Sequence, residues 1–228
     1  MFAAMSAAAL ALAGGYSVSA QDYDKSGYCP ITKGMTLEYV NYDADGARTG
    51  SFILKVSAVE GTLSKGTVTF DQYFYDADGK PLFSDNGGNL PMEVTVGGLE
   101  GTVSRMSDVG KVMKVQDIMS KGDASSVPAG MKVGTTIPDG CIKVKIGKIS
   151  ATLSTQNRQV TEQKSITVPA GTFDCFLIKE EQVTKTVMSK TERIETWYAA
   201  GIGCVRQAVY DRKGRLDHTQ ELVSIKFE

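Results

Sequence analysis

The sequence has one histidine and one tryptophan, and its four cysteines never fall in a Cys-x-x-Cys spacing. With His218 as the only imidazole, a metal centre built on several histidines is excluded, and a Ser-His or Cys-His pair has a single base to draw on. His218 comes just after a turn, between Asp217 and Thr219, and reads as a solvated side chain. Without Cys-x-x-Cys, the common thiol redox motif and the common zinc pair are missing. G-x-S-x-G, G-x-x-x-x-G-K-[ST] and G-x-G-x-x-G are absent too, so no nucleophile elbow, P-loop or dinucleotide fingerprint is written here. Ser84-Asp85-Asn86 matches one β-lactamase element, but the S-x-x-K and K-T-G that belong with it are missing. Charge of one sign is also lacking: 25 basic residues face 26 acidic ones, for a net charge of −1. Such a balance gives no polyanion-binding surface, and nucleic acid is not an expected partner.

The first twenty residues, MFAAMSAAALALAGGYSVSA, carry no charge. An Ala/Leu run breaks at Gly14-Gly15, and Val18 and Ala20 stand where a signal peptidase requires small residues. The apolar run is shorter than the ~20 residues of a spanning helix, which favours an export signal over a membrane anchor. The usual basic residues before the run are absent. The expectation is cleavage after Ala20, a single β-rich domain over 21–228 with its one candidate division near 120–140, and a periplasmic or secreted location. No later stretch is apolar enough to span a bilayer. Cys29, Cys141, Cys175 and Cys204 all lie in the exported part. Two disulfides, in any of three pairings, and buried free thiols are both open.

Alternation at period two dominates the rest of the chain. Met35, Leu37 and Tyr39 share one face; Phe52, Leu54, Val56 and Ala58 do the same, as do Val68, Phe70 and Phe74, and Leu90, Met92, Val94 and Val96. Ile142, Val144 and Ile146 alternate with Lys143 and Lys145, and Val205, Val209, Val223, Ile225 and Phe227 continue the pattern. Each set is the apolar face of a strand. The predicted fold is mainly β: one large curved antiparallel sheet or open barrel of hairpins, with at most one or two short helices. The one segment competing for helix is Arg105–Met119, where Met106, Val109 and Met113 recur at helical spacing and Gly110 opposes it.

The string YDADG occurs at Tyr42–Gly46 and at Tyr75–Gly79, and YDRKG stands at Tyr210–Gly214. Asp-x-Asp-Gly belongs to calcium loops, but the position that must supply a bidentate Glu is Phe52 in the first copy. Only Tyr, Asp and Gly recur in all three. These are hairpin residues: Tyr closes the strand, Asp bonds its own backbone, and Gly turns the corner. No metal and no cofactor are expected. Val168-Pro-Ala-Gly171 reads as a further turn, and the same tetrapeptide stands at Val127–Gly130.

Candidate ligand-contacting residues are the aromatics beside turns and one nearby cation: Tyr73, Trp197, Tyr198 and Arg206. Core packing competes for the aromatics. Trp197 shares a strand face with Arg193 and Glu195, so it calls for cover, either from the segment 120–140 or from the helix candidate.

The most distinctive residues are ITVPAGTFDCFLIK (Ile166–Lys179), TWYAAGIGCVRQAVYDRKG (Thr196–Gly214) and the terminal QELVSIKFE. With Tyr28-Cys29-Pro30 and Gly34, this order resembles the bacterial exported family of domain of unknown function 3108, including its TapB-like relatives. The resemblance implies a curved antiparallel sheet like that of the periplasmic lipoprotein carriers; it brings no catalytic residues. Residues 97–140 match nothing in it. The expected function is therefore non-enzymatic: an exported envelope protein holding an apolar ligand, lipid or peptide in the concavity of its sheet. The alternative is a structural or interaction protein of the envelope without a pocket.

Overall fold

The computed structural model describes residues 23–62, 65–83, 85–89, 92–96, 102–105, 118–121, 126–146 and 149–228. The expected export segment lies outside them.

The strands are β1 (Met35–Asp43), β2 (Arg48–Thr62), β3 (Lys65–Asp76), β4 (Met92–Val96), β5 (Thr102–Arg105), β6 (Ile118–Lys121), β7 (Ser126–Val127), β8 (Thr136–Ile137), β9 (Gly140–Ile146), β10 (Ile149–Val168), β11 (Gly171–Lys185), β12 (Ser189–Ala199), β13 (Gly203–Tyr210) and β14 (Leu216–Phe227). They form one antiparallel sheet in the order β6-β9-β10-β11-β12-β13-β14-β1-β2-β3-β4-β5-β7, with β8 against β10. The first strand thus pairs with the last, Leu37 opposite Ile225 and Tyr39 opposite Leu222. One 3-10 turn, Asp85–Gly88, is the only helical element among the described residues. The helix anticipated over Arg105–Met119 is not borne out at its ends: Arg105 closes β5, and Ile118 and Met119 open β6. Residues 106–117 lie outside the described set. Ile118 is β-branched and favours a strand, and Met119 follows it there despite its helix propensity because β9 supplies backbone partners.

The three Tyr-Asp-x-x-Gly strings make one turn three times. Asp43 Oδ1 accepts the N–H groups of Asp45 and Ala47 at 3.0 and 2.8 Å. Asp76 does so with Asp78 and Lys80 at 3.0 and 2.8 Å, and Asp211 with Lys213 and Arg215 at 2.8 and 3.0 Å. Each turn's glycine has φ near +80° (82°, 81° and 79°). By strand direction, these turns and the β11–β12 tip lie at one end of the sheet. The Val168–Gly171 and Ala199–Gly203 turns lie at the other.

The sheet curls into a half-barrel. The N–H of Ala170, in the β10–β11 turn, donates to the carbonyl of Leu222 on β14 at 3.3 Å. In a flat sheet β11 and β14 would stand roughly 14 Å apart, three strand spacings. The main core gathers inside this curl: Met35, Leu37, Tyr39, Val56, Phe70, Cys175, Ile202, Val205 and Leu222 are among its buried members. Residues 23–31 run along the same end. Gly201 N–H donates to the Gly27 carbonyl at 2.7 Å, and the Tyr23 ring stacks on Phe227 with centroids 6.3 Å apart. A second cluster forms where 127–137 lies against the sheet: Val127, Met131 and Ile137 pack on Val160 and Ile178, with Tyr28, Phe176 and Tyr198 at its border. Leu177 is buried as well, so the Phe176-Leu177-Ile178 run is covered on both faces, as its unbroken apolarity implies.

All four cysteines are free thiols: Cys29 and Cys175 buried, Cys204 partly buried, Cys141 exposed.

Candidate functional site

Three of the four sequence candidates fall on adjacent strands, but not on one face. Trp197 stands opposite Leu177 and Arg206. It is partly buried against the main core, and the Lys164 ammonium lies 4.7 Å from its ring centroid. Arg206 is exposed and pairs with Glu221 at 3.3 Å. Tyr198 points the other way, opposite Phe176 and Cys204. It belongs to the second cluster, where burial, with smaller contributions from Cys204 and Glu180, pushes its phenol well above the ordinary range. Tyr73 is on β3, opposite Ile53 and bridged to Asn89. The structure therefore brings Trp197 and Arg206 together and leaves Tyr198 and Tyr73 apart from them.

Next to Trp197 on the same face lies an open groove of about 400 Å³, floored by Lys179, Glu181, Arg193, Glu195 and Tyr210. Two of its four charged floor residues pair with each other. Lys179 pairs with Glu195 at 2.8 Å, and that hydrogen bond raises the ammonium above its ordinary value. Glu181 accepts from Asn157 Nδ2 at 2.8 Å and Gln156 Nε2 at 3.3 Å. On the opposite face Glu180 pairs with Arg158 at 2.7 Å, both side chains being nearly out of water. Arg158 also donates to the Pro138 carbonyl at 3.0 Å. Its inward aim stems from an irregularity in β10, where Asn157 takes φ 56° and the register slips between Gln156 and Gln159. Charges already paired gain little from a new partner; Arg193 is the floor charge without an ion-pair partner among the described residues.

A second candidate surface is aromatic. Tyr39, Phe52 and Phe74 lie directly opposite one another across β1, β2 and β3. Tyr39 stacks on Phe52 with centroids 4.5 Å apart, and Phe52 on Phe74 at 5.6 Å. Phe83 meets Phe74 edge-on at 6.0 Å, held there by the Leu82 N–H bond to the Phe74 carbonyl at 2.9 Å. Tyr39 is buried and its hydroxyl donates to the Cys204 carbonyl at 2.9 Å. Phe52, Phe74 and Phe83 remain partly exposed. The row climbs from the core to water on the face that also carries Leu37, Leu54, Val56 and Phe70. Tyr39, Phe52 and Phe74 are legible in the sequence as alternating apolar positions. Their alignment is not, because it depends on register across three strands.

The motifs that distinguish the sequence sit at the curled end: Pro169-Ala170-Gly171 at the contact with β14, and Gly201-Ile202-Gly203 against residues 23–30. The DUF3108-like family model matches residues 32–222. The chain belongs to the DUF3108-like family. Two solved structures share this DUF3108-like protein's fold. A Bacteroides fragilis protein described as exported, with a YmcC-like fold, is 24% identical and has a TM-score of 0.72, covering 88% of this chain and 99% of its own. A Parabacteroides distasonis protein described as a lipoprotein is 20% identical with a TM-score of 0.71, covering 89% of this chain and 100% of its own. No curated protein matches the DUF3108-like chain.

Proposed function

We propose that this is an exported, non-enzymatic protein of the cell envelope that binds an apolar ligand, a lipid or an apolar peptide, on the inner face of its half-barrel. The observation that carries the reading is the row Tyr39-Phe52-Phe74-Phe83, three of whose rings are partly exposed. Aromatic rings in register offer a large rigid apolar area with little side-chain entropy to lose on binding. The export part of the reading is supported by the apolar, uncharged opening of the chain and by the words that describe its two structural neighbours.

Native mass spectrometry of protein isolated from its own host tests this. The expected result is a co-purified apolar molecule, retained by wild type and lost when Phe74 and Phe83 are both replaced by Ala. Ligand-free protein from the native host, with no binding of long-chain fatty acids or phospholipid monomers, would favour the pocketless structural role.

A further inference from the structure

Val187 and Met188 form the tip of the β11–β12 hairpin and are 100% and 79% exposed, the two highest values among the exposed large apolar side chains of the described residues. The tip is closed rather than loose: the N–H and the hydroxyl of Thr186 both donate to the Met188 carbonyl, at 2.9 and 3.2 Å. Lysines surround this apolar pair. Lys185 and Lys190 flank it and are exposed. In the sheet register Lys185 lies opposite Thr152, Thr152 opposite Lys143, and Lys143 opposite Lys121, so three of the four positions in one row across β11, β10, β9 and β6 are lysine. The neighbouring β9–β10 hairpin ends in the pair Ile146 and Ile149, with Lys145 before it and Gly147-Lys148 between them in sequence.

Acid is absent from the same stretches. No Asp or Glu occurs between Asp139 and Glu162, nor between Glu181 and Glu192. Lys190 does pair with Glu192, at 2.6 Å, but Lys143 and Lys185 have no ion-pair partner among the described residues. In a chain of net charge −1 this is local segregation, not a basic protein. The acidic turns at Asp43–Asp45 and Asp76–Asp78 belong to β1–β3, on the other side of the sheet order; in the nearer β13–β14 turn Asp211 pairs with Arg215 at 2.7 Å, and Asp217 lies close enough to Lys190 to act on it.

Two side chains are far too little apolar area for a stable protein interface, which needs roughly 800 Å² per partner. They suit a bilayer surface, where a small apolar tip enters the acyl boundary and each nearby lysine meets lipid phosphate. We propose that the β11–β12 tip docks the protein peripherally on an anionic phospholipid surface, Val187 and Met188 entering the interface and Lys143, Lys185 and Lys190 meeting the headgroups. This is independent of the ligand reading, which rests on the opposite half of the sheet.

The test is sedimentation of the full chain with vesicles of phosphatidylglycerol and phosphatidylcholine, or of phosphatidylcholine alone, comparing wild type with the Val187→Asp/Met188→Asp double variant. Residues 1–22 are the same in both chains. Expected are preference for the anionic vesicles, a loss of affinity of tenfold or more in the double variant, roughly fivefold for Lys185→Gln, and weakening by salt. Both substitutions are at bare positions, so thermal unfolding should be unchanged. A Val187→Trp variant gives a direct reading: its emission should shift blue with anionic vesicles and be quenched by doxyl-labelled lipid. Equal binding to both vesicle types, equal binding by wild type and the double variant, or a Val187→Trp signal indifferent to vesicles would each overturn the proposal. Phe74→Ala should leave docking intact, so a failed ligand assay and a failed docking assay are told apart.

Discussion

The Lys164 ammonium rests over the indole of Trp197, 4.7 Å from the ring centroid. Trp197 meets the core on one side and a charged side chain on the other, while residues 127–137, part of the segment 120–140 expected as one of its two covers, lie instead on its neighbour Tyr198. Its fluorescence should be moderately blue-shifted yet still open to quenching by iodide. Trp197→Ala should cost about 3 kcal/mol in urea unfolding, the low end for a large aromatic. Lys164→Ala should cost no more than about 0.5 kcal/mol, because the ammonium is half in water.

The three aspartate turns should behave as turns, not as metal loops. Millimolar calcium should leave the melting temperature unchanged, since Oδ1 of each leading Asp already accepts two N–H groups. Asp43→Asn should be nearly neutral and Asp43→Ala should cost about 1 kcal/mol. At Asp211, hydrogen bonds from the Arg215 backbone and then from its side chain lower the carboxyl below its ordinary value. Its contribution to stability is complete above about pH 4 and falls as pH drops through the lowered value. The melting temperature of Asp211→Asn should therefore depend less steeply on acid than that of wild type.

Two glycines with similar φ should differ in tolerance. Gly46 (φ +82°) has open space where a side chain would stand, so Gly46→Ala should cost roughly 1–2 kcal/mol from the backbone alone. At Gly201 (φ +73°) a Cβ would strike the Asp24 carbonyl and the Tyr23 ring. Gly201→Ala should be the more destabilising of the two. It should also speed proteolysis near residues 23–30, which limited trypsin digestion at Lys25 would report.

Thiol chemistry should single out Cys141. Burial pushes Cys29, Cys175 and Cys204 up to about 12. Native protein should react with one equivalent of a disulfide reagent near neutral pH, and with four equivalents when unfolded. The folded state holds these protons more tightly than the unfolded chain does. The associated stability is therefore complete below about pH 8.5 and declines as pH rises toward 12.

The buried pair Arg158–Glu180 should show asymmetric costs. Glu180→Ala strands a guanidinium that is almost out of water and should cost about 3–5 kcal/mol. Replacing both, Arg158→Met with Glu180→Leu, should cost much less. Equilibrium unfolding of the two variants and wild type measures the difference.

Strand positions and turns were legible in the sequence because both are local. Alternation marks β1–β3 and β13–β14, and Asp with Gly marks the corners. Arg158 was not legible, because a single left-handed residue, Asn157, turns it inward. Phe83 was hidden in a Gly/Asn-rich stretch, where nothing in sequence says that it will fold back on Phe74. Glu180 and Glu181 face opposite ways by simple alternation, but their partners come from β10, over twenty residues upstream. Trp197 and Tyr198 were placed on the right strand, while the segment that covers one and not the other is fixed by tertiary packing.

The pairing of β1 with β14 has a kinetic consequence. The middle of the sheet cannot close until the final dozen residues are free to fold, so a chain emerging from its N-terminus has no nearest neighbour for its first strand on that side. Such long-range pairing slows folding. Under the export proposed above, delay of this kind would keep the chain passable through a translocation channel until its last strand is through.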